Sequence, residues 1–349
     1  MNKIFMCGYF AFKTNDFGGQ PVKTRETYYA LVNKFGNKNI YYLDTLNWKQ
    51  HPFKLLKDFF KLSINSSCLI MFPAHNGLKI FSMLLLLSKT MFKKKIYYDV
   101  IGGWLPEVTQ KNEKLKNRLL KFDGIWVETN SMKEALEAQG FKNISIVPNF
   151  KSISPLKEDE LIFNTEKPFK FCYFARVAKE KGIEDAVRAI TEINKKYGKN
   201  TATLDIYGQV NPDYEEGFKE LQKSFDGSIN YKGVVKPEKS VETLKDYFAL
   251  LFPTKFYTEG IPGTIIDAYA AGIPVISSEW QSCHDVVEKD KTGIVFNFGN
   301  YDEFFNAVDS AVTAPQKLIQ MKPNCLRVAE NYQPQNIAGI ISYLLNLGR

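Results

Sequence analysis

Glu259 and Asp267, separated by seven residues, enclose the stretch of this sequence best suited to chemistry. Between them Gly260, Ile261, Pro262, Gly263 and Thr264 lead into a helix predicted over 264–271, with Gly272 as its stop. A helix mouth offers N–H groups without intrahelical acceptors and the positive end of a dipole, a seat for phosphate. Helical Cβ atoms tilt toward the N-terminus, so Asp267 leans back toward the mouth that Glu259 borders. Acids on both sides of a phosphate seat suit a ligand with hydroxyls around its phosphate, as a nucleotide sugar has. An ordinary strand–helix–strand unit with two incidental surface acids is the alternative.

Two further features could meet phosphate. Arg176 and Lys181 stand five positions apart where a strand over 169–174 gives way to a helix. Two cations on such a loop can clamp a diphosphate and neutralise charge on a departing group. With Lys179 and Glu180 beside them, a solvated basic loop also fits. Near the start, a strand over 4–10 runs through a loop over 13–20, containing Gly18-Gly19, into a helix over 21–35 stopped by Gly36. A glycine pair there lets backbone approach a ligand closely. Lacking the full GxGxxG spacing and a Walker lysine, it also fits a simple turn.

Glu259-Gly260 and Asp267 resemble the E-x7-E signature of retaining glycosyltransferases of the GT-B fold, in particular the bacterial family four, the group 1 glycosyltransferases. The preceding Pro253-Thr254 and the run Asp267-Ala268-Tyr269-Ala270-Ala271-Gly272-Ile273-Pro274-Val275-Ile276 are similar as well. One departure is that the second acid is Asp where the family usually has Glu. The resemblance implies that Glu259 binds donor-sugar hydroxyls and steadies developing positive charge, and that Asp267 binds ribose hydroxyls. It implies that Arg176 and Lys181 hold the diphosphate, while Gly18 and Gly19 face it from the first domain. Tyr207-Gly208 resembles the family's Tyr-Gly segment. Lys232-Gly233-Val234 resembles the loop bracketing the nucleobase, uracil here, with a strand of no such role left open. Where the family often has a strand-end histidine, this chain has Tyr98-Asp99. Asp99 then contacts the acceptor or bound sugar, or merely caps the next turn.

The implied architecture is α/β: two doubly wound, Rossmann-like parallel-sheet domains facing across a cleft, with ligand at the carboxyl ends of the strands. Residues 1–150 would bind acceptor and residues 151–330 the donor. The polar stretch 151–167 would serve as linker, and a helix in 331–349 would return to the first domain. The implied reaction is metal-independent hexosyl transfer from a nucleoside diphosphate sugar to a hydroxyl of a glycan or lipid-linked acceptor. The donor is a co-substrate, and no cofactor is expected. The implied setting is bacterial surface polysaccharide synthesis. A GT-B-fold nucleotide-sugar epimerase and a non-catalytic glycosyltransferase-like subunit are the alternatives. A dinucleotide dehydrogenase lacks its glycine fingerprint.

Bulk properties agree with such a chain. Its 349 residues suit two domains, and 44% hydrophobic with 24% charged residues is an ordinary globular balance. Cys7, Cys68, Cys172, Cys283 and Cys325 form no metal spacing and read as buried reduced thiols of a cytosolic protein. His51, His75 and His284 make no HExxH, so no zinc centre is expected, and no DxD pair stands out. The net charge of +8 is uneven: residues 1–150 hold 22 Lys and Arg against 11 Asp and Glu. Such a basic half meets something anionic. No nucleic-acid signature is present, so an anionic membrane surface is the better partner. Phe53, Leu56, Phe59, Phe60 and Leu62 interleave with Lys54, Lys57 and Lys61, and the stretch 81–95 ends in Lys93-Lys94-Lys95. Both suit interfacial helices on acidic lipid, or for 54–63 a core-facing helix with solvated lysines. No apolar run reaches the roughly 20 residues of a membrane span. Residues 4–12 read as a buried strand rather than a signal sequence. A cytoplasmic protein docked peripherally on the inner face of the cell membrane is the expectation.

Overall fold

The structure is a computed structural model describing residues 3–12, 14, 18–46 and 48–346. The chain forms two compact units, one of residues 1–151 with 332–349 and one of residues 152–331. Each unit is built on a parallel sheet, six-stranded among the described residues.

The first unit runs β1 (Ile4–Gly8), α1 (Gly19–Phe35), β2 (Ile40–Asp44), α2 (Pro52–Ile64), β3 (Cys68–Met71) and α3 (His75–Phe92). It continues β4 (Lys95–Asp99), α4 (Leu105–Lys111), α5 (Glu113–Leu119), β5 (Gly124–Val127), α6 (Asn130–Glu137) and β6 (Ile144–Ile146). The sheet order is β2-β1-β3-β4-β5-β6. β1, β3 and β5 are buried along their whole length, as strands covered on both faces must be, which is why they read as unbroken apolar runs. α1 starts two residues before the expected Pro21. The first turn's N–H groups have no intrahelical acceptor, so proline fits its third position.

α2 and α3 divide the expected basic-aromatic stretches between core and surface. Phe59 is fully buried, with its ring 5.4 Å from Phe5, whereas Phe53 at the start of α2 is 88% exposed. Phe81 is also core, a correction to an exposed role for the aromatics of 81–95. The exposed apolar side chains of α3 are instead Ile80, Met83, Leu87 and Met91, spaced as one helical stripe. Lys94 donates to the Ile64 carbonyl at 3.0 Å, closing the end of α2, while Lys93 and Lys95 are exposed.

The second unit runs β7 (Phe169–Phe174), α7 (Ile183–Tyr197), β8 (Ala202–Tyr207), α8 (Glu215–Gln222), β9 (Ile229–Gly233), α9 (Ser240–Leu244) and β10 (Ala249–Phe252). Then come α10 (Gly263–Ala270), β11 (Val275–Ser278), α11 (Cys283–Val286), β12 (Gly293–Phe296), α12 (Tyr301–Thr313), α13 (Gln316–Ile319) and α14 (Lys322–Ala329). The order is β12-β11-β10-β7-β8-β9. β11 begins two residues after the expected Ile273, because Gly272 is left-handed (φ 64°) and Pro274 has no N–H for the ladder.

A last helix, α15 (Pro334–Leu344), belongs to the first unit and packs on α1. Its Ile337 and Ile341 are fully buried in a cluster with Ile4, Leu31 and Ile70. Each such side chain contributes about 1.5–3 kcal/mol of burial. No helix of the described residues is long and apolar enough to cross a membrane. All five cysteines are free and buried.

Candidate functional site

In the second unit β7 and β10 are neighbours, yet the chain leaves β7 toward β8 and leaves β10 toward β11, at opposite edges of the sheet. The loops after such a strand pair part from each other, opening a crevice at the carboxyl ends where ligands of doubly wound sheets bind. These are the loops that carry Arg176 with Lys181 and Glu259 with the mouth of α10.

The two loops touch because of Gly182. It has φ 73°, and a Cβ there would lie 1.9 Å from the Pro253 carbonyl oxygen, so any side chain would force the loops apart. The buried Tyr173 hydroxyl donates to the Arg176 carbonyl at 3.1 Å, fixing the loop from below, and burial pushes this phenol well above its ordinary range. Arg176 is exposed and has no ion pair among the described residues. Lys181 forms an ion pair with Glu259 Oε1, and its ammonium lies 5.4 Å from the Phe256 ring centroid. Thr254 Oγ1 donates to the same Glu259 oxygen at 3.2 Å. The cation of one motif and the acid of the other therefore meet directly.

α10 starts at Gly263 after Pro262, without a side-chain cap or an acid in its first turn. The Pro262 carbonyl accepts from Ile265 at 3.0 Å and Ile266 at 3.4 Å, leaving the Gly263 and Thr264 N–H groups without acceptors among the described residues. Thr264 Oγ1 donates to the Phe174 carbonyl, tying the helix mouth to the end of β7. Gly260 and Ile261 are buried beneath the turn. Asp267 departs from the expected arrangement. It is 2% exposed, and its Oδ1 accepts from Ser240 Oγ at 2.8 Å, so the shorter acid is engaged by α9 rather than standing open.

Tyr207 and Gly208 close β8 beside the same crevice. A Cβ on Gly208 (φ 138°) would fall 1.8 Å from the Ala175 carbonyl oxygen, so glycine is required for β8 to pass the Arg176 loop. The Tyr207 hydroxyl is 2.8 Å from that of Tyr247, which donates to Asp205 Oδ2 at 2.7 Å. Gly208 N–H donates to the Gly233 carbonyl at 2.9 Å, linking the two glycine turns. Lys232 Nζ lies 3.7 Å from Asp205 Oδ1, while Val234 is exposed.

The remaining sequence-predicted residues belong to the first unit. Gly18 caps α1 and Gly19 is its first helical residue, with open space where a Cβ would be. Asp99 requires correction. It is fully enclosed at the end of β4, with Oδ1 3.0 Å from Lys23 Nζ, and Lys23 also meets Glu128 Oε1 at 3.1 Å. Burial pushes the Asp99 carboxyl up to about 6 against the pull of Lys23. With no exposed surface, Asp99 holds α1 to the sheet rather than reaching toward a sugar. The sequence gives no sign of this triad, since Lys23 reads as an ordinary solvated helix lysine. Ser240, which donates to Asp267, has no sequence signal either, whereas Thr254, which donates to Glu259, stands in the Pro253-Thr254 pair of the resemblance. Among the described residues, no cluster of three His, Cys, Asp or Glu could hold a metal ion.

Residues 157–327 match the sequence model of the family described as Glycosyl transferases group 1. A stretch of 104 residues is 28% identical to D-inositol 3-phosphate glycosyltransferase of Rhodococcus erythropolis, covering 29% of this chain and only 24% of that enzyme. HepE of Anabaena, solved with UDP-glucose, superposes with a TM-score of 0.75 at 13% identity, over 99% of this chain and 100% of that one. Sucrose-phosphate synthase of Thermosynechococcus elongatus gives 0.78 at 15% identity, over 99% of each chain. The lipopolysaccharide outer core galactosyltransferase WaaB gives 0.68 at 17% identity, over 99% of this chain and 100% of that one. The fold is that of the GT-B glycosyltransferases.

Proposed function

We propose that the chain, whose residues 157–327 match the Glycosyl transferases group 1 model, transfers a hexosyl group from a nucleoside diphosphate sugar, a UDP-sugar, to a hydroxyl with retained anomeric configuration. The observation that carries this is the meeting of Arg176, Lys181, Glu259 and the open mouth of α10 at one strand-switch crevice. HepE, which has been solved with UDP and with UDP-glucose, supports the choice of base.

In this reading the exposed Arg176 meets the diphosphate first, and the Gly263 and Thr264 N–H groups donate to its oxygens. The phosphate then draws Lys181 into the clamp, and Glu259 turns from the ammonium to the donor-sugar hydroxyls. The bond between the anomeric carbon and the diphosphate oxygen breaks as Glu259 steadies the positive charge on the ring. The acceptor oxygen bonds to the anomeric carbon on the same face, and its proton passes to the departing phosphate oxygen. Asp267 acts at the ribose edge with Ser240, and Tyr207, Gly208 and the 232–234 turn border the base. The cations and N–H groups neutralise the leaving group, so the proposed transfer is metal-independent.

The first unit is assigned to the acceptor. Around α2 and α3 the exposed Phe53, Leu56, Met83, Leu87 and Met91 stand among exposed lysines, including Lys54, Lys57, Lys61, Lys93 and Lys95. Apolar side chains framed by cations suit a peripheral seat on an anionic leaflet. A lipid-linked or glycan acceptor of bacterial surface polysaccharide, used at the cytoplasmic face, follows from that seat. WaaB, a lipopolysaccharide outer core galactosyltransferase, supports the acceptor class. Incubation with UDP-hexoses and lipid-linked saccharides, with and without EDTA, tests the reaction. An EDTA-insensitive product whose new linkage keeps the donor's configuration is expected. Inverted product, or strict metal dependence, contradicts the mechanism.

A further inference from the structure

The first unit has a strand switch of its own. β1 and β3 are neighbours, with Cys7 opposite Met71, but the chain leaves β1 toward β2 and β3 toward β4. The crevice at their carboxyl ends is bordered by the segment after β3, which reaches His75 four residues on.

His75 is unlike its surroundings in three respects. Its backbone is left-handed (φ 46°), a conformation uncommon for non-glycine residues. Its ring stacks on Trp104 with centroids 4.7 Å apart and planes 26° from parallel. The side chain is nonetheless exposed, and its ring nitrogens have no hydrogen-bond partner among the described residues.

Neighbouring groups hold this pair. The buried Tyr98 hydroxyl donates to the Pro73 carbonyl at 3.1 Å, pinning the segment that delivers His75. Trp104 Nε1 donates to the Ile101 carbonyl at 2.9 Å, so the indole is fixed and its polar edge satisfied. Gly102 (φ 81°) passes beneath the indole, where a Cβ would lie 3.4 Å from Trp104 Cδ1. An imidazole with a rigid aromatic backing thus presents a flat face and two unused polar atoms at a ligand-binding position of the sheet.

We propose that the His75–Trp104 stack is a hexopyranose-binding platform, the seat of the acceptor sugar. A pyranose ring offers an apolar C–H face to lie on the aromatic stack and a rim of hydroxyls for the imidazole nitrogens, the division of labour that small-molecule sites use. The strained backbone aims the ring, and the indole keeps it from turning away. The acceptor role rests on the transferase reading, whereas hexose binding does not.

The test is saturation-transfer NMR on the full chain with methyl α- and β-glucosides, galactosides, mannosides and N-acetylglucosaminides, and with uridine as a competing flat ligand. UDP is titrated into the same samples. At least one hexoside should bind wild type. His75→Gly should weaken that hexoside at least fivefold while its Tm is unchanged or higher, because glycine relieves the left-handed backbone. Trp104→Ala should weaken it similarly, and His75→Asn, which tolerates the same backbone and keeps a hydrogen-bonding group, should retain part of it. No hexoside bound by wild type, equal affinity in His75→Gly, or displacement from the stack by uridine overturns the platform. Absence of UDP binding to wild type instead defeats the transferase reading, whatever the hexosides do.

Discussion

Lys181 and Glu259, 78 positions apart in the sequence, form an ion pair at the strand switch of the second unit. The pair is about four-fifths buried or more on each side, at 21% and 12% side-chain exposure. Removing one partner leaves the other short of compensation, so each residue shapes the site beyond its own contact. The acid is thereby held by the cation that the proposed mechanism assigns to phosphate.

Glu259→Gln keeps the size of the side chain and the Thr254 contact but loses the charge. Turnover is expected to fall by at least about 100-fold, with UDP-hexose affinity changed less than about fivefold. Steady-state kinetics beside calorimetric donor titration measures both quantities. A fully active variant removes Glu259 from the chemistry.

Ser240→Ala removes the hydrogen bond that holds Asp267, and Asp267→Ala removes the acid itself. Both should weaken UDP binding, by roughly three- to tenfold, the scale of one hydrogen bond of about 1 kcal/mol or slightly more. Omitting the ribose 2′-hydroxyl, with deoxyuridine diphosphate in place of UDP, should cost less affinity in these variants than in wild type. Equal losses would detach the acid from the ribose.

Asp99 makes stability depend on pH. Its folded carboxyl is pushed up to about 6, whereas an unfolded aspartate titrates near ~3.9. The stability linked to this group is fully present below about pH 4 and is lost as pH rises through about 6. Asp99→Asn cannot titrate, so between about pH 5 and 7.5 wild type should lose about 1–2 kcal/mol relative to the variant. Urea unfolding followed by tryptophan fluorescence reads this, since Trp48, Trp104 and Trp126 lie in the first unit. Parallel pH profiles for the two proteins would show that the triad is not coupled to folding in this way.

How far the fold was legible depended on locality. The strand expected over 169–174 matches β7 residue for residue, because its apolar run and the preceding Pro168 are local signals. The cation loop and the mouth of α10 were visible for the same reason. What stayed hidden was pairing at long range. Lys23 meets Asp99 and Glu128 only because β4 and β5 are neighbours and α1 brings Lys23 to their carboxyl ends. Asp267 is enclosed because Ser240 arrives from another helix. Phe53 and Phe81 have the same residue type and similar basic neighbours, yet one is solvent-facing and the other core, as helix phase against the sheet decides.

Membrane docking should combine charge with apolar insertion. Lys93→Glu together with Lys95→Glu should abolish most co-sedimentation with anionic vesicles at low salt, each lysine contributing about 1 kcal/mol near such a surface. Phe53→Ser with Met83→Ser should weaken binding in high salt, where the electrostatic part is screened. Equal partitioning onto neutral and anionic vesicles, or none onto either, counts against this seat.

The most direct test of donor recognition at the second unit's strand switch is calorimetric titration of UDP into wild type, Arg176→Ala and Lys181→Ala. Wild type should bind, and each variant should bind at least about tenfold more weakly, as expected for losing a charge-assisted phosphate contact of about 1.5–3 kcal/mol. No UDP binding to wild type, or equal affinity in all three proteins, would contradict the account.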